Sequence, residues 1–180
     1  MGDFFPFFID IGKKCFLLIG GGEIAWRRVS VLIRFNPEIK IISKNINAEI
    51  KNLDYNKLCF EEREFRESDL EGADFVLALT DDRELNAKIA KKAKEMKIPV
   101  NDCSNKENCD FYFPGIAGND KIVIGICAGG VDHRLAARTT AYIKERIEPV
   151  LGLGEEVNVK KSQTSENERE HQKAGQRDKA

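Results

Sequence analysis

A chain of 180 residues carrying a formal net charge of −1 has room for one medium domain and a small appendage. Its 29 basic and 30 acidic residues form no large block of one sign, which argues against a dedicated nucleic-acid or membrane-surface protein. No apolar run approaches the ~18 residues of a membrane span, and the aromatic opening Met1–Asp10 lacks the basic start and cleavage site of a signal peptide.

Lys14–Ile19 is a short apolar run ending in Gly20-Gly21-Gly22, which predicts a buried parallel strand and a turn. Ile24, Ala25, Val29, Leu32 and Ile33 then recur at helical spacing until Asn36-Pro37 breaks the pattern. Ile39–Ile42 and Lys57–Phe60 read as the second and third strands, with a short turn or helix at Ser68–Leu70. Asp74–Leu79 is a fourth, strongly buried strand. Asp81 or Asp82 is placed to cap a helix running to about Lys97, with Leu85, Ile89, Ala93 and Met96 as its apolar face. Ile98–Val100 starts a fifth strand. This alternation implies a parallel sheet with right-handed crossovers.

After Pro114 the alternation stops. Lys121–Cys127 reads as a strand, Ala128-Gly129-Gly130 as a turn and Asp132–Ile147 as a helix. One strand and one helix bury too little to stand alone, so this segment is expected to mediate dimerisation. From Glu155 to Ala180 there are many charges and no aromatic residue, the composition of a disordered tail. The odd, scattered cysteines point to a reduced, cytoplasmic protein. Cys15, Cys59 and Cys127 lie in apolar runs, where the residue acts as a small hydrophobe.

Gly20-Gly21-Gly22-Glu23-Ile24-Ala25 fits G-x-G-x-x-A directly after a strand and at the opening of a helix. Gly20 allows the tight turn, Gly22 removes a side chain where a pyrophosphate approaches, and Ala25 lets the helix pack close. Free N–H groups and the positive dipole end then face the phosphates. A glycine-rich turn with no ligand is the competing reading. The second strand ends Ser43-Lys44-Asn45 without the carboxylate of an NAD fingerprint. Ser43 and Asn45 are placed to bond ribose hydroxyls and Lys44 to pair with a 2′-phosphate, so NAD and NADP both stay open. Thr80, at the carboxyl end of the fourth strand, is a further candidate for the cofactor site.

An ordered set of motifs resembles the precorrin-2 dehydrogenase family, the amino-terminal module of sirohaem synthase. It comprises Phe4-Phe5-Pro6-Phe7-Phe8, the Gly20–Ala25 turn with Arg27-Arg28 beyond, and Thr80-Asp81-Asp82 with Leu85-Asn86. Val100-Asn101, Cys109–Pro114, Gly129-Gly130 and Leu135-Ala136-Ala137-Arg138 complete it. The chain is thus expected to form a Rossmann domain over residues 1–113, a dimerisation segment over 114–152, which the resemblance also implies, and a tail over 153–180. The resemblance further implies NAD-dependent oxidation of precorrin-2 to sirohydrochlorin, a homodimer, and in some members insertion of ferrous iron. The cofactor contacts it implies are Gly22, Glu23, Ile24, Lys44, Asn45 and Thr80.

The family's usual acid/base Asp is replaced here by Ser104, and serine is a poor proton acceptor without a neighbouring base. Asp102 lies two residues earlier, roughly 6–7 Å away on the same side of an extended strand. It is the candidate base, with Ser104 orienting the substrate; a carboxylate that merely ends a strand is the alternative. His133 is a second acid/base or metal-ligand candidate, against an ordinary helix-start histidine. Arg134 and Arg138, one turn apart, are candidates for pairing with substrate carboxylates, against a plain surface pair. Cys103 and Cys109 fit no zinc spacing. The rival from another class is a nucleotide-sensing domain that binds NAD without chemistry; a third reading is a family member reduced to tetrapyrrole binding or chelation.

Overall fold

The computed structural model describes residues 5–119, 121–130 and 132–147; the expected tail lies outside them. No helix among the described residues is long and apolar enough to cross a membrane. The described chain falls into two compact units. One takes in residues up to Pro114 together with Cys127–Asp132, and the other begins with Gly115–Ile126 and resumes at His133.

The first unit is built on a five-stranded, wholly parallel sheet: β1 (Cys15–Gly21), β2 (Glu38–Ile46), β3 (Leu58–Glu62), β4 (Phe75–Ala78) and β5 (Val100–Asp102). Their order is β3-β2-β1-β4-β5, so the winding reverses between β1 and β4. In a doubly wound sheet that reversal opens a crevice at the strands' carboxyl ends.

Strand alternation sorts the core into two layers. Phe16 and Leu18 of β1 point to one face, where α1 (Glu23–Leu32) packs Ala25, Val29 and Leu32 against them. Leu17 and Ile19 point to the other, where α3 (Arg83–Glu95) contributes Ile89, Ala90 and Ala93. Such a strand, covered on both faces, has to read as a continuous apolar run. Between these helices, α2 (Ala48–Lys51) follows β2, capped by Asn47, whose side chain accepts from the Glu49 N–H at 2.8 Å.

The end of α1 explains the break at Asn36-Pro37. The chain tightens into a 3-10 turn at Ile33–Phe35 and stops on Asn36 at φ +59°, a left-handed cap. Some expectations need correction. Met96 caps α3 and is exposed, while polar Asn86 takes a fully buried place on that helix. Cys59 and Cys127 are exposed despite their apolar neighbours; only Cys15 of that trio is partly covered.

The second unit contains a strand the sequence reading omitted. β6 (Gly115–Gly118) pairs antiparallel with β7 (Val123–Ile126). The turn between them is set by Asn119, whose side chain accepts from the Lys121 N–H at 2.9 Å. Residues 133–147 form a helix, α4. A side chain at Gly115 would collide with Thr140 of α4, so the glycine permits the close approach of hairpin and helix.

Candidate functional site

The three glycines after β1 do three different things. Gly20 sits at φ +110°, and a Cβ there would lie 2.7 Å from the carbonyl of Leu79, in β4's outgoing chain. At Gly21 a Cβ would press on the Asn45 carbonyl oxygen and the Ile46 side chain, both at 2.7 Å. Gly22, the N-cap of α1, has no neighbour within 4 Å of such an atom and supplies no side-chain cap. Gly20 and Gly21 are therefore required by the fold, whereas Gly22 is dispensable to it. The first-turn N–H groups of α1 face outward with no side chain to satisfy them. Here the residues fit a dinucleotide: a pyrophosphate has both room and donors.

On one side of this turn stands the end of β2. Gly21 pairs with Ile46, and the Gly21 carbonyl accepts from the Asn47 N–H at 2.8 Å, which brings Ser43, Lys44 and Asn45 beside the glycines. The Ser43 hydroxyl donates to the Asn45 carbonyl at 2.9 Å. Lys44 Nζ pairs with Glu64 Oε1 at 2.8 Å, and that bond raises the lysine's pKa while lowering the glutamate's. Glu23 opens α1 near Arg27 (3.9 Å), and Ile24 is exposed at the same end.

On the other side, β4 and β5 end together. Asn86 of α3 bridges them: its Oδ1 accepts from the Thr80 N–H at 3.1 Å and its Nδ2 donates to the Thr80 carbonyl at 2.9 Å. The same Nδ2 lies 3.3 Å from Ser104 Oγ. Ser104 in turn donates its hydroxyl to Asp102 Oδ1 at 2.6 Å. Thus Gly20, Thr80, Asn86, Ser104 and Asp102 form one connected line along the carboxyl edge of the sheet. Asp82 is the N-cap of α3, accepting from the Glu84 and Leu85 N–H groups.

Asp102 is buried and saturated. Its Oδ1 also accepts from the Ser104 N–H at 2.8 Å and the Asn105 N–H at 3.2 Å, and its Oδ2 from Asn108 Nδ2 at 2.7 Å. Burial pushes its pKa up, but the Asn108 amide, the Ser104 hydroxyl and the two N–H groups outweigh this and hold it below the usual carboxylate value. It is a fixed anion. The loop that supplies these donors folds back over β5, where the Cys109 thiol accepts from the Asp102 N–H at 3.3 Å. Burial raises that thiol's pKa, so it takes part as a neutral group.

His133, Arg134 and Arg138 lie exposed on α4, in the second unit. Among the described residues, no three His, Cys, Asp or Glu side chains are grouped to hold a metal ion. The residue that site prediction missed is Asn86. It was visible only as part of a motif, since an Asn inside an otherwise lysine-rich helix carries no local sign of burial.

Comparison with known proteins agrees with this geometry. Residues 7–115 match the NAD_binding_7 family, described as "Putative NAD(P)-binding". The chain is 36% identical over 143 residues to a multifunctional sirohaem biosynthesis protein of Ruminiclostridium josui, covering 78% of this chain and 28% of the relative. It is 32% identical over 152 residues to a sirohaem synthase of Nitrosomonas eutropha, covering 83% and 32% respectively. The chain thus spans about a third of the length of these relatives. Among solved structures, the precorrin-2 dehydrogenase SirC matches with a TM-score of 0.66 at 21% identity, over 79% of this chain and 71% of that one. At that identity the likeness establishes the fold.

Proposed function

Because the chain belongs to the precorrin-2 dehydrogenase family of NAD(P)-binding domains, we propose that it oxidises precorrin-2 to sirohydrochlorin, with NAD as hydride acceptor. The observation that carries this reading is the connected line from the glycine turn to Asp102. It sets a pyrophosphate cradle and a serine–carboxylate pair on the same edge of one sheet.

The overall change removes one hydride and one proton from the macrocycle. Bound nicotinamide supplies the hydride acceptor. Loss of hydride leaves positive charge on the substrate, which makes the adjacent C–H acidic, so a strong resting base is not needed. Ser104 Oγ accepts that proton as its own passes to Asp102 Oδ1, 2.6 Å away, and from there to water. Asp102, ionised at rest and again once that proton has left for water, stabilises the cationic stage and orients Ser104. Asn86, itself held by Thr80, contacts the serine's other side. Arg134 and Arg138 are proposed to meet substrate carboxylates, and His133 to serve as an auxiliary proton carrier.

Lys44 supports NAD rather than NADP. Its ammonium is engaged with Glu64, which also places a carboxylate beside the end of β2, where the ribose 2′-hydroxyl is read in such folds. A homodimer through the second unit is part of the same proposal. Ile122 and Val123 of the hairpin are exposed, as is Tyr142 of α4, an apolar surface suited to a second copy.

The test is incubation with precorrin-2 and NAD, following absorbance as conjugation extends. Stoichiometric NADH and sirohydrochlorin are expected; NAD binding without turnover would leave the sensing-domain reading in its place. Adding ferrous iron to the same assay tests metal insertion.

A further inference from the structure

Among the described residues, Arg28 is a cation without an anion. It lies in the second turn of α1, with its guanidinium carbon 4.3 Å from the centre of the Phe113 ring. Its Nε is fully covered and has no hydrogen-bond acceptor. No described carboxylate influences it; the groups that do are Arg27, which repels it, and the Cys103 thiol. That thiol offers no counter-charge, because desolvation and Asp102 both push its pKa up and keep it neutral. Burial lowers the Arg28 pKa first of all, with Arg27 adding to the effect. A guanidinium lowered in this way still stays charged.

Its position gives this imbalance a meaning. Cys103 directly follows β5 and donates its N–H to the Ala78 carbonyl at 3.1 Å. Arg28 stacks on Phe113, two residues past Phe111, whose carbonyl accepts from Asn101 Nδ2 of β5 at 2.8 Å, so it lies beside the strand that leads into Asp102 and Ser104. Phe113 holds the guanidinium plane from one face, which leaves the in-plane donors as its unused chemistry. A planar fork of this kind matches a carboxylate in two-point contact. Desolvating a charge with no partner costs stability, and such a cost persists where function requires it.

We propose that Arg28 is a substrate-binding residue: it receives a carboxylate of the tetrapyrrole at the end of β5, with Phe113 fixing its plane. This rests on the proposed oxidation of a polycarboxylate macrocycle and adds the anchor that positions its ring beside Ser104. A phosphate of the dinucleotide is the other oxyanion with this chemistry, and the experiment separates the two.

The probes are uroporphyrin, a polycarboxylic porphyrin followed by fluorescence, and NAD followed by calorimetry. Proteins compared are the wild type, Arg28→Met, Arg28→Lys and Arg34→Met. Arg34 is a matched control, an exposed arginine 6.0 Å from the Phe35 ring. Arg28→Met is expected to weaken porphyrin binding by about tenfold or more, the usual scale for a hydrogen bond to a charged group. NAD affinity is expected to stay unchanged, and the melting temperature to fall no lower than that of the wild type. Arg28→Lys, keeping charge without the fork, should lose part of the affinity, and Arg34→Met none. Unchanged porphyrin affinity in Arg28→Met overturns the proposal. So does a loss confined to NAD, which would assign the group to a phosphate, or a clear fall in melting temperature, which would make it a packing residue. A wild type that binds NAD but no porphyrin removes the tetrapyrrole reading itself, and this anchor with it.

Discussion

Asn86 grips Thr80 through both its main-chain groups, accepting from the N–H at 3.1 Å and donating to the carbonyl at 2.9 Å, as a neighbouring strand would. The Thr80 hydroxyl adds a third contact, 2.7 Å from Asn86 Oδ1. β4 has already ended at Ala78, so the side chain extends its ladder where no fifth-strand partner remains. Replacing Asn86 with Leu strands a buried N–H and C=O and is expected to cost about 2–4 kcal/mol in denaturant melts. Turnover should fall further than folding does, because Ser104 loses its second anchor. Equal retention of activity and stability would show that the bridge is ornamental.

Gly20→Ala and Gly22→Ala should separate folding from binding. Gly20→Ala forces a Cβ into the Leu79 carbonyl at an unfavourable φ, and a loss of roughly 2–4 kcal/mol is expected. Gly22→Ala meets nothing and lies at φ −81°, so its melting curve should match the wild type within about 0.5 kcal/mol. Its NAD affinity, measured by calorimetry, should nevertheless drop, because the methyl group projects where the pyrophosphate is proposed to sit. Undiminished NAD binding by Gly22→Ala would place the cofactor elsewhere.

Asp102 makes a pH prediction with a definite sign. Its folded pKa is depressed, so its stabilising effect is complete above the unfolded value of about 3.9 and is lost as pH falls through the lower folded value. The stability gap between wild type and Asp102→Asn should therefore be constant from about pH 5 upward and close in stronger acid. Turnover should show no acid limb from this residue above about pH 5. A limb between pH 6 and 7 that vanishes in Asp102→Asn would demand a raised carboxylate pKa and a different mechanism.

Lys44 and Glu64 govern cofactor choice in this reading. Glu64→Gln frees the ammonium and removes the carboxylate beside β2, and NADP should gain on NAD by several-fold, roughly the scale of an exposed ion pair. Paired KM values for the two nucleotides measure it. No change in the ratio would mean that the ribose lies away from this pair.

The parallel strands and the glycine turn were legible because their causes are local. An apolar run, a glycine triplet and a helical repeat need no distant partner to be recognised. β6 was not, since Gly115-Ile116-Ala117-Gly118 is four residues long, bounded by glycine and without polar alternation. Strand periodicity put Asp102 and Ser104 on one side of an extended chain; the strand instead ends at Asp102, and the bend after it closes the pair to 2.6 Å. The depressed pKa of Asp102 was not legible, because three of its donors come from Asn105, Asn108 and the Ser104 main chain in an aperiodic loop. Asn86 and Arg28 look like ordinary surface residues of their helices until tertiary packing covers them.

The register break in β1 has a consequence for how this fold diversifies. Cys15–Ile19 keep one alignment with Glu38–Ile42, but Gly21 faces Ile46, two residues further along β2 than that alignment gives. The surplus is taken up by the stretch holding Ser43, Lys44 and Asn45, after which Ile46 returns to the interior. A small overhang is thereby inserted between two anchored points, free of any duty to the hydrophobic layers. Sequence drift can rewrite it without disturbing the strands on either side, so under the proposed reading nucleotide preference is the property this architecture can change most cheaply.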